Sequence, residues 1–207
     1  MTAGDDGDRF ATAAGARVLL RLLELHQPLA SAVRAGPVPA LPPGVRLELW
    51  RDAAPGSLLP SYAAAKGAIA DAPGSGLQVD PAWTPARVRD WEASLRARGR
   101  TPWGAAVLAG PDVVACTELS TDGGPLAAQH DTVVVQGHRR RGLGTAVKAA
   151  LAAHVHRHRP EVATVRTTVN ADNGPVVGLN GRLGYRIGRR RLLVELPSPP
   201  ALPHRTP

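Results

Sequence analysis

Val133-Val134-Val135-Gln136-Gly137-His138-Arg139-Arg140-Arg141-Gly142-Leu143-Gly144-Thr145 is the stretch that decides how this chain is read. Its valines predict a buried strand. Residues 142–158 predict the helix that follows, since Leu143, Val147, Ala150, Leu151 and His154 share a face and Pro160 stops it. Between strand and helix lies a basic turn holding Gly142 and Gly144. Such a turn points backbone N–H groups into one concavity, the helix N-terminus adds partial positive charge, and arginines pair directly with anions. Glycine lets backbone approach phosphate oxygens closely. The combination suits a diphosphate, although Gly-x-Gly alone is also an ordinary tight turn. The Gly-Lys-Ser/Thr ending of a triphosphate loop is missing, as is the third glycine of a dinucleotide fingerprint.

Upstream, Phe10, Ala14, Val18, Leu22 and Leu25 fall at helical spacing, so residues 8–35 read as one or two helices. A proline-bearing linker runs from Gly36 to Gly44. Val45, Leu47 and Leu49 alternate as in a strand, 59–71 reads as a helix and 71–80 as a loop, and Thr84 is placed to cap a helix reaching about Arg98. Strands are expected over 103–109, 113–119 and 131–136. Downstream, 162–169 reads as a strand, 174–183 as a short helix and 185–196 as closing strands. The expected organisation is a helical extension and linker over 1–44, an α/β domain over 45–196 with a mixed sheet, antiparallel early and parallel in the middle, and a disordered proline-rich tail over 197–207. The extension carries no chemistry; a helical cap or an oligomer contact, a homodimer included, is its default role.

Composition narrows the classes. The 207 residues carry a formal charge of +8, and the only lysines are Lys66 and Lys148, every other basic residue being arginine. Abundant alanine, glycine and proline suggest a GC-rich genome, so part of this charge reflects codon usage; the alternative is an anionic partner such as a phosphate-rich cofactor, an acidic carrier protein or RNA. The single cysteine, Cys116, excludes a disulfide framework and a cysteine-built zinc site and reads as core filler in a reducing compartment. Met1 to Arg9 is acidic where an export signal is basic, and charges interrupt the apolar run from Val18 to Leu29, so a soluble cytoplasmic protein without membrane contact is expected. His154, His156 and His158 lack a carboxylate or cysteine at ligand spacing and read as a solvated helix end, not a metal site. Of the four tryptophans, Trp83, beside the 71–80 loop, is the one that suggests a pocket wall.

Arg139-x-x-Gly142-x-Gly144 resembles the acetyl-CoA signature of the GNAT acetyltransferase superfamily, Gln/Arg-x-x-Gly-x-Gly/Ala. About thirty residues on, Asn170-Ala171-Asp172-Asn173-Gly174-Pro175, then Asn180 and Leu183-Gly184-Tyr185, resemble its second motif, an asparagine opening a helix that ends in Leu-Gly-Phe/Tyr. The likeness covers 45–196 and is strongest from Gln129 to Tyr185. With Thr117-Glu118-Leu119 and Gln129-x-Asp131-Thr132, it extends to actinobacterial members related to the C-terminal half of tandem acetyltransferases.

The resemblance implies a GNAT-like mixed sheet of about six or seven strands flanked by helices. It also implies transfer of an acetyl or other acyl group from coenzyme A to an amine. Two parallel strands, 131–136 and 162–169, would splay apart. Acetyl-CoA, or another acyl-CoA, would lie in the gap, its pantetheine on the Val133 and Val134 backbone and near Asn173. Its pyrophosphate would sit on Arg139, Arg140, Arg141, Gly142, Leu143, Gly144 and Thr145. A free alkyl amine titrates near about 10 and must lose a proton to attack, so a base is needed. Glu118 and Asp131 are the candidates, with His130 third; each could also be a strand-end residue making a turn hydrogen bond. Many members place a tyrosine seven residues after the helix-opening asparagine, as the acid for the leaving thiolate. Here that position is Asn180, which can hydrogen-bond sulfur but cannot donate a proton outright. It is expected to orient the donor. Three activities stay open: an acyl-CoA transferase for a small-molecule amine, a relative using an acyl carrier protein or aminoacyl-tRNA as donor, and a non-catalytic CoA-binding module.

Overall fold

The computed structural model describes residues 6–34, 36–71 and 82–196. The expected 71–80 loop, past its first residue, and the 197–207 tail lie outside them. The elements, in order, are α1 (Asp6–Ala13), β1 (Arg17–Pro28), α2 (Leu29–Arg34), β2 (Val45–Arg51), α3 (Leu59–Gly67), α4 (Pro85–Ala97), β3 (Thr101–Ala109), β4 (Asp112–Thr121), β5 (Leu126–Val134), α5 (Leu143–His158), β6 (Thr164–Asn170), α6 (Gly174–Arg182) and β7 (Arg186–Glu195). The strands form one sheet in the order β2-β3-β4-β5-β6-β1-β7.

The helical reading of 8–35 holds at its two ends and fails in the middle. Residues 17–28 are a strand of the same sheet, paired antiparallel with β6 on one side and β7 on the other. Of the stripe that suggested a helix only Leu25 is buried, while Phe10 and Val18 are exposed. Instead Leu23, Leu25 and Gln27 are buried, at the period of two that a strand imposes. Residues 17–28 thus supply the strand between β6 and the edge strand β7 in the sheet that the following residues build.

Helices cover both faces. On one, Leu143, Val147, Leu151 and Val155 of α5 join a core with Trp103, Ala105 and Val107 of β3. On the other, Tyr62 and Ala63 of α3 and Val88 of α4 join Ala106, Leu108, Cys116 and Val133. Strand β3 alternates between the two clusters, as pleating requires. Thr84 caps α4 by accepting from Arg87 N at 3.1 Å, as its sequence position suggested.

Two irregularities position the site. The first is a parting of strands. β5 and β6, the parallel pair, are in register only from Leu126↔Thr164 to Ala128↔Arg166. Beyond Ala128 the two strands diverge, leaving one edge of β5 unpaired by its neighbour. The second is a bulge. Thr117 pairs with Thr132 and Leu119 with Gln129, so the single Glu118 of β4 faces both His130 and Asp131 of β5. A bulge of this kind re-aims side chains: His130 reaches Ser120 and Trp91, while Asp131 reaches Lys66 on α3.

Candidate active site

A cavity of about 600 Å³ lies beside β5, past the point where β5 and β6 part. Its walls are Thr132 to Val134, the turn that opens α5, and the first turns of α6. Nine of the ten residues expected to hold the donor line it: Val133, Val134, Arg139, Arg140, Gly142, Leu143, Gly144, Thr145 and Asn173. Arg141 does not. It turns outward beside His138, its guanidinium 3.4 Å from Nδ1. His138 and Arg182, which the motif did not single out, line the cavity instead.

The turn is built as an anion cradle. Arg140 (φ 62°) and Gly142 (φ 77°) both take left-handed backbone, which curls the chain and directs N–H groups inward. Gly142 is the N-cap of α5, and no side chain caps that helix. Its first N–H groups are therefore available to a ligand. Gly144 is required by contact: a Cβ there would lie 2.9 Å from Leu179 Cδ1 and 3.4 Å from Val134 Cγ2. A larger residue would displace the Leu179 side chain and crowd Val134. These features fit a diphosphate ligand with an extended arm. Two details differ from the expectation. Asn173 Oδ1 accepts from Val176 N at 3.3 Å and so caps α6. Arg139 turns back on its own strand, donating from Nε to Val134 O at 3.0 Å.

Across the sheet lies a buried charged cluster whose cation the sequence reading did not identify. Lys66, 1% exposed, donates to Glu118 Oε1 and, at 3.0 Å, to Asp131 Oδ2. The Tyr62 hydroxyl donates to the same Glu118 oxygen. The Lys66 ammonium also stands over aromatic faces, 4.1 Å from the Trp83 ring centre and 5.2 Å from that of Trp91. Burial opposes charge on Lys66, but the Glu118 and Asp131 carboxylates outweigh it and hold the ammonium above the ordinary lysine value. Burial raises Glu118; Lys66 pulls it down and Asp131 adds to the rise. Burial takes His130 down to about 4, so it is neutral near pH 7 and a weak base. Asp131 is the accessible member, its side chain 37% exposed; Glu118 is enclosed, with Oε2 unpartnered among the described residues.

The expectation for Asn180 needs correction. It is fully buried and does not line the cavity. Its Oδ1 accepts from Lys148 Nζ at 2.8 Å, and Lys148 is the residue that reaches the cavity. A lysine on α5 thus reaches the cavity that a residue of α6 was expected to reach. Lys66 and Lys148 are the chain's only lysines, and this scarcity among arginines is the sequence signal that would have found both. Cys116 is buried core, as expected. His154 and His158 pack beside Trp103, and no group of metal-binding side chains occurs among the described residues. No helix among them is long and apolar enough to cross a membrane.

The model of the acetyltransferase (GNAT) family matches residues 68–185, more than half of the chain. Among solved structures, the chain is similar to a tandem GNAT protein from the clavulanic acid biosynthesis pathway, at 27% identity and a TM-score of 0.75 over 91% of this chain and 57% of that one. A GCN5-related N-acetyltransferase from Sphaerobacter thermophilus shares the fold, with 20% identity and a TM-score of 0.67 over 94% and 57%. Another, from Kribbella flavida, matches at 17% identity and a TM-score of 0.57 over 94% and 65%. The chain thus spans less than two thirds of the length of these structures. No curated protein sequence matches it. The matched family model, the seven-stranded sheet with its parted parallel pair and the turn at Arg139–Thr145 agree that the chain belongs to the GNAT acetyltransferase family.

Proposed function

We propose that the protein transfers an acyl group from an acyl-CoA to the amine of a small molecule. The observation that carries this reading is the single cavity joining the uncapped start of α5 to the unpaired edge of β5. The α5 turn binds the diphosphate, with Arg139, Arg140 and Arg182 around it. The free edge of β5 at Val133 and Val134 accepts an extended amide-bearing arm as a strand would. Bound acyl-CoA supplies an activated thioester. The chain supplies position and proton transfer. Asp131 and Glu118 receive the amine's proton, directly or through water, with Asp131 the open member and Glu118 behind it. Lys66 holds both carboxylates in place. Trp83 and Trp91 give the acceptor side aromatic walls.

The experiment is release of free thiol from acetyl-CoA against a broad amine panel, with carrier-loaded and tRNA-loaded acyl donors run alongside. The expected result is thiol release that requires both acetyl-CoA and an amine. Tight CoA binding without turnover on any acceptor would instead identify a non-catalytic binding module, and turnover only with a carrier or tRNA donor would replace CoA as the substrate.

A further inference from the structure

We propose that Lys148 is the catalytic acid that protonates the departing thiolate. The proposal rests on the acyl-CoA reading above. Lys148 lies one helical turn after Gly144 on α5, and both line the cavity. Across the cavity stand Thr132, Val133 and Val134 of β5. The side chain is 5% exposed. Nζ donates one hydrogen bond, to Asn180 Oδ1, and sits 4.8 Å from the centre of the Tyr185 ring. It makes no other hydrogen bond and no salt bridge among the described residues. An ammonium carries three protons, so two remain for the cavity.

Structure alone gives no reason for a lysine here. A buried ammonium without a carboxylate is destabilising, and an apolar side chain of similar length would fill the space at less cost. Asn180 orients the amine through a neutral oxygen. It fixes the position of Nζ without holding the proton as a carboxylate would. Burial pushes Lys148 down to about 7. An ordinary thiol titrates near about 8.5, so transfer from Lys148 to a thiolate runs downhill.

The step balances. The acceptor nitrogen forms a bond to the acyl carbon, the carbon–sulfur bond breaks, and its electron pair leaves on sulfur. Sulfur takes a proton from Lys148, which is left as a neutral amine. The proton lost by the acceptor passes to the Asp131–Glu118 side. Solvent restores both groups after the products leave.

Because the chain has two lysines, NMR of side-chain-labelled lysine yields two Nζ signals, assigned by their loss in K66M and K148M. One signal should titrate near pH 7 and belong to Lys148. Its midpoint should move when CoA is added and stay in place when desulfo-CoA, which lacks the thiol, is added. K148M should lower turnover by roughly 10²–10⁴-fold. K148R, which keeps the charge but does not release a proton at these pH values, should be equally slow and lose the decline in rate that wild type shows above about pH 7. Calorimetry separates the two readings. Intact CoA binding with a Lys148 midpoint that CoA and desulfo-CoA move alike, or K148R at wild-type rate, would overturn the acid while sparing the acyl-CoA reading. No CoA binding at all would overturn both.

Discussion

Lys66 and Lys148 are the same residue type at nearly the same burial, on opposite faces of one sheet, and their surroundings give them opposite chemistry. Lys66 is enclosed by Glu118, Asp131 and aromatic rings, and its charge is held firmly. Lys148 has an asparagine oxygen and a tyrosine ring, and burial brings its pKa down to about 7. Burial alone does not decide whether a lysine is a fixed ion or a proton donor; the charge of its nearest oxygen does. In the proposed reaction the Lys66 cluster organises the acceptor side and Lys148 acts on the donor side.

The largest effect expected from disturbing this contrast is on rate. Asp131→Asn removes the open carboxylate of the Lys66 cluster and should lower turnover by roughly 10²–10⁴-fold at neutral pH. The deficit should narrow as pH rises and more free amine exists, with CoA affinity unchanged. A pH–rate profile beside CoA calorimetry checks both statements. Near wild-type turnover in Asp131→Asn and Glu118→Gln alike would move the base elsewhere.

Stability comes next. Lys66→Met leaves Glu118 buried and uncompensated, which should cost about 3–5 kcal/mol in denaturant unfolding. Adding Glu118→Leu removes the stranded charge and should recover most of that loss. Equal instability of the single and double variants would mean that the ion pair is not what Lys66 contributes.

On the other face the sign reverses. The folded pKa of Lys148 lies below its unfolded value, so between about pH 7 and 10.5 the unfolded chain binds more protons and stability rises with pH. The gain from this group should be roughly 5 kcal/mol over that window. Comparing wild type with Lys148→Met isolates it, because the variant should lack that rise. Parallel curves would show that Lys148 is not depressed in the folded state.

A smaller effect belongs to His130, which burial takes to about 4. Its contribution is complete above the unfolded value of about 6.5 and is lost as pH falls toward 4, by roughly 3 kcal/mol. His130→Gln should flatten acid unfolding in that window. An unchanged acid limb would place His130 in water.

What could be read from sequence was what neighbours in sequence determine. The α5 turn was legible because Gly142 and Gly144 act within a few residues of each other, and its cavity residues followed, Arg141 excepted. Strand β1 was not, because the leucine run from Leu19 to Leu25 satisfies periods of 2 and 3.6 alike, and pairing with β6 and β7 selects between them. The Lys66 cluster was half legible. Glu118 and Asp131 were named from their strands. Lys66 stands 52 and 65 residues away from them and reaches them only because α3 packs across β4. Asn180 illustrates the same limit: helical spacing placed it correctly on α6, while the partner that claims its oxygen comes from α5.

The central claim is that the cavity beside the α5 turn binds the nucleotide end of an acyl-CoA. Titration calorimetry of CoA against wild type and Gly144→Val tests it most directly, since the added side chain must displace Leu179 and crowd Val134. Wild type should bind and Gly144→Val should not, with the variant still folded by circular dichroism. Equal CoA affinity in the two proteins would contradict it.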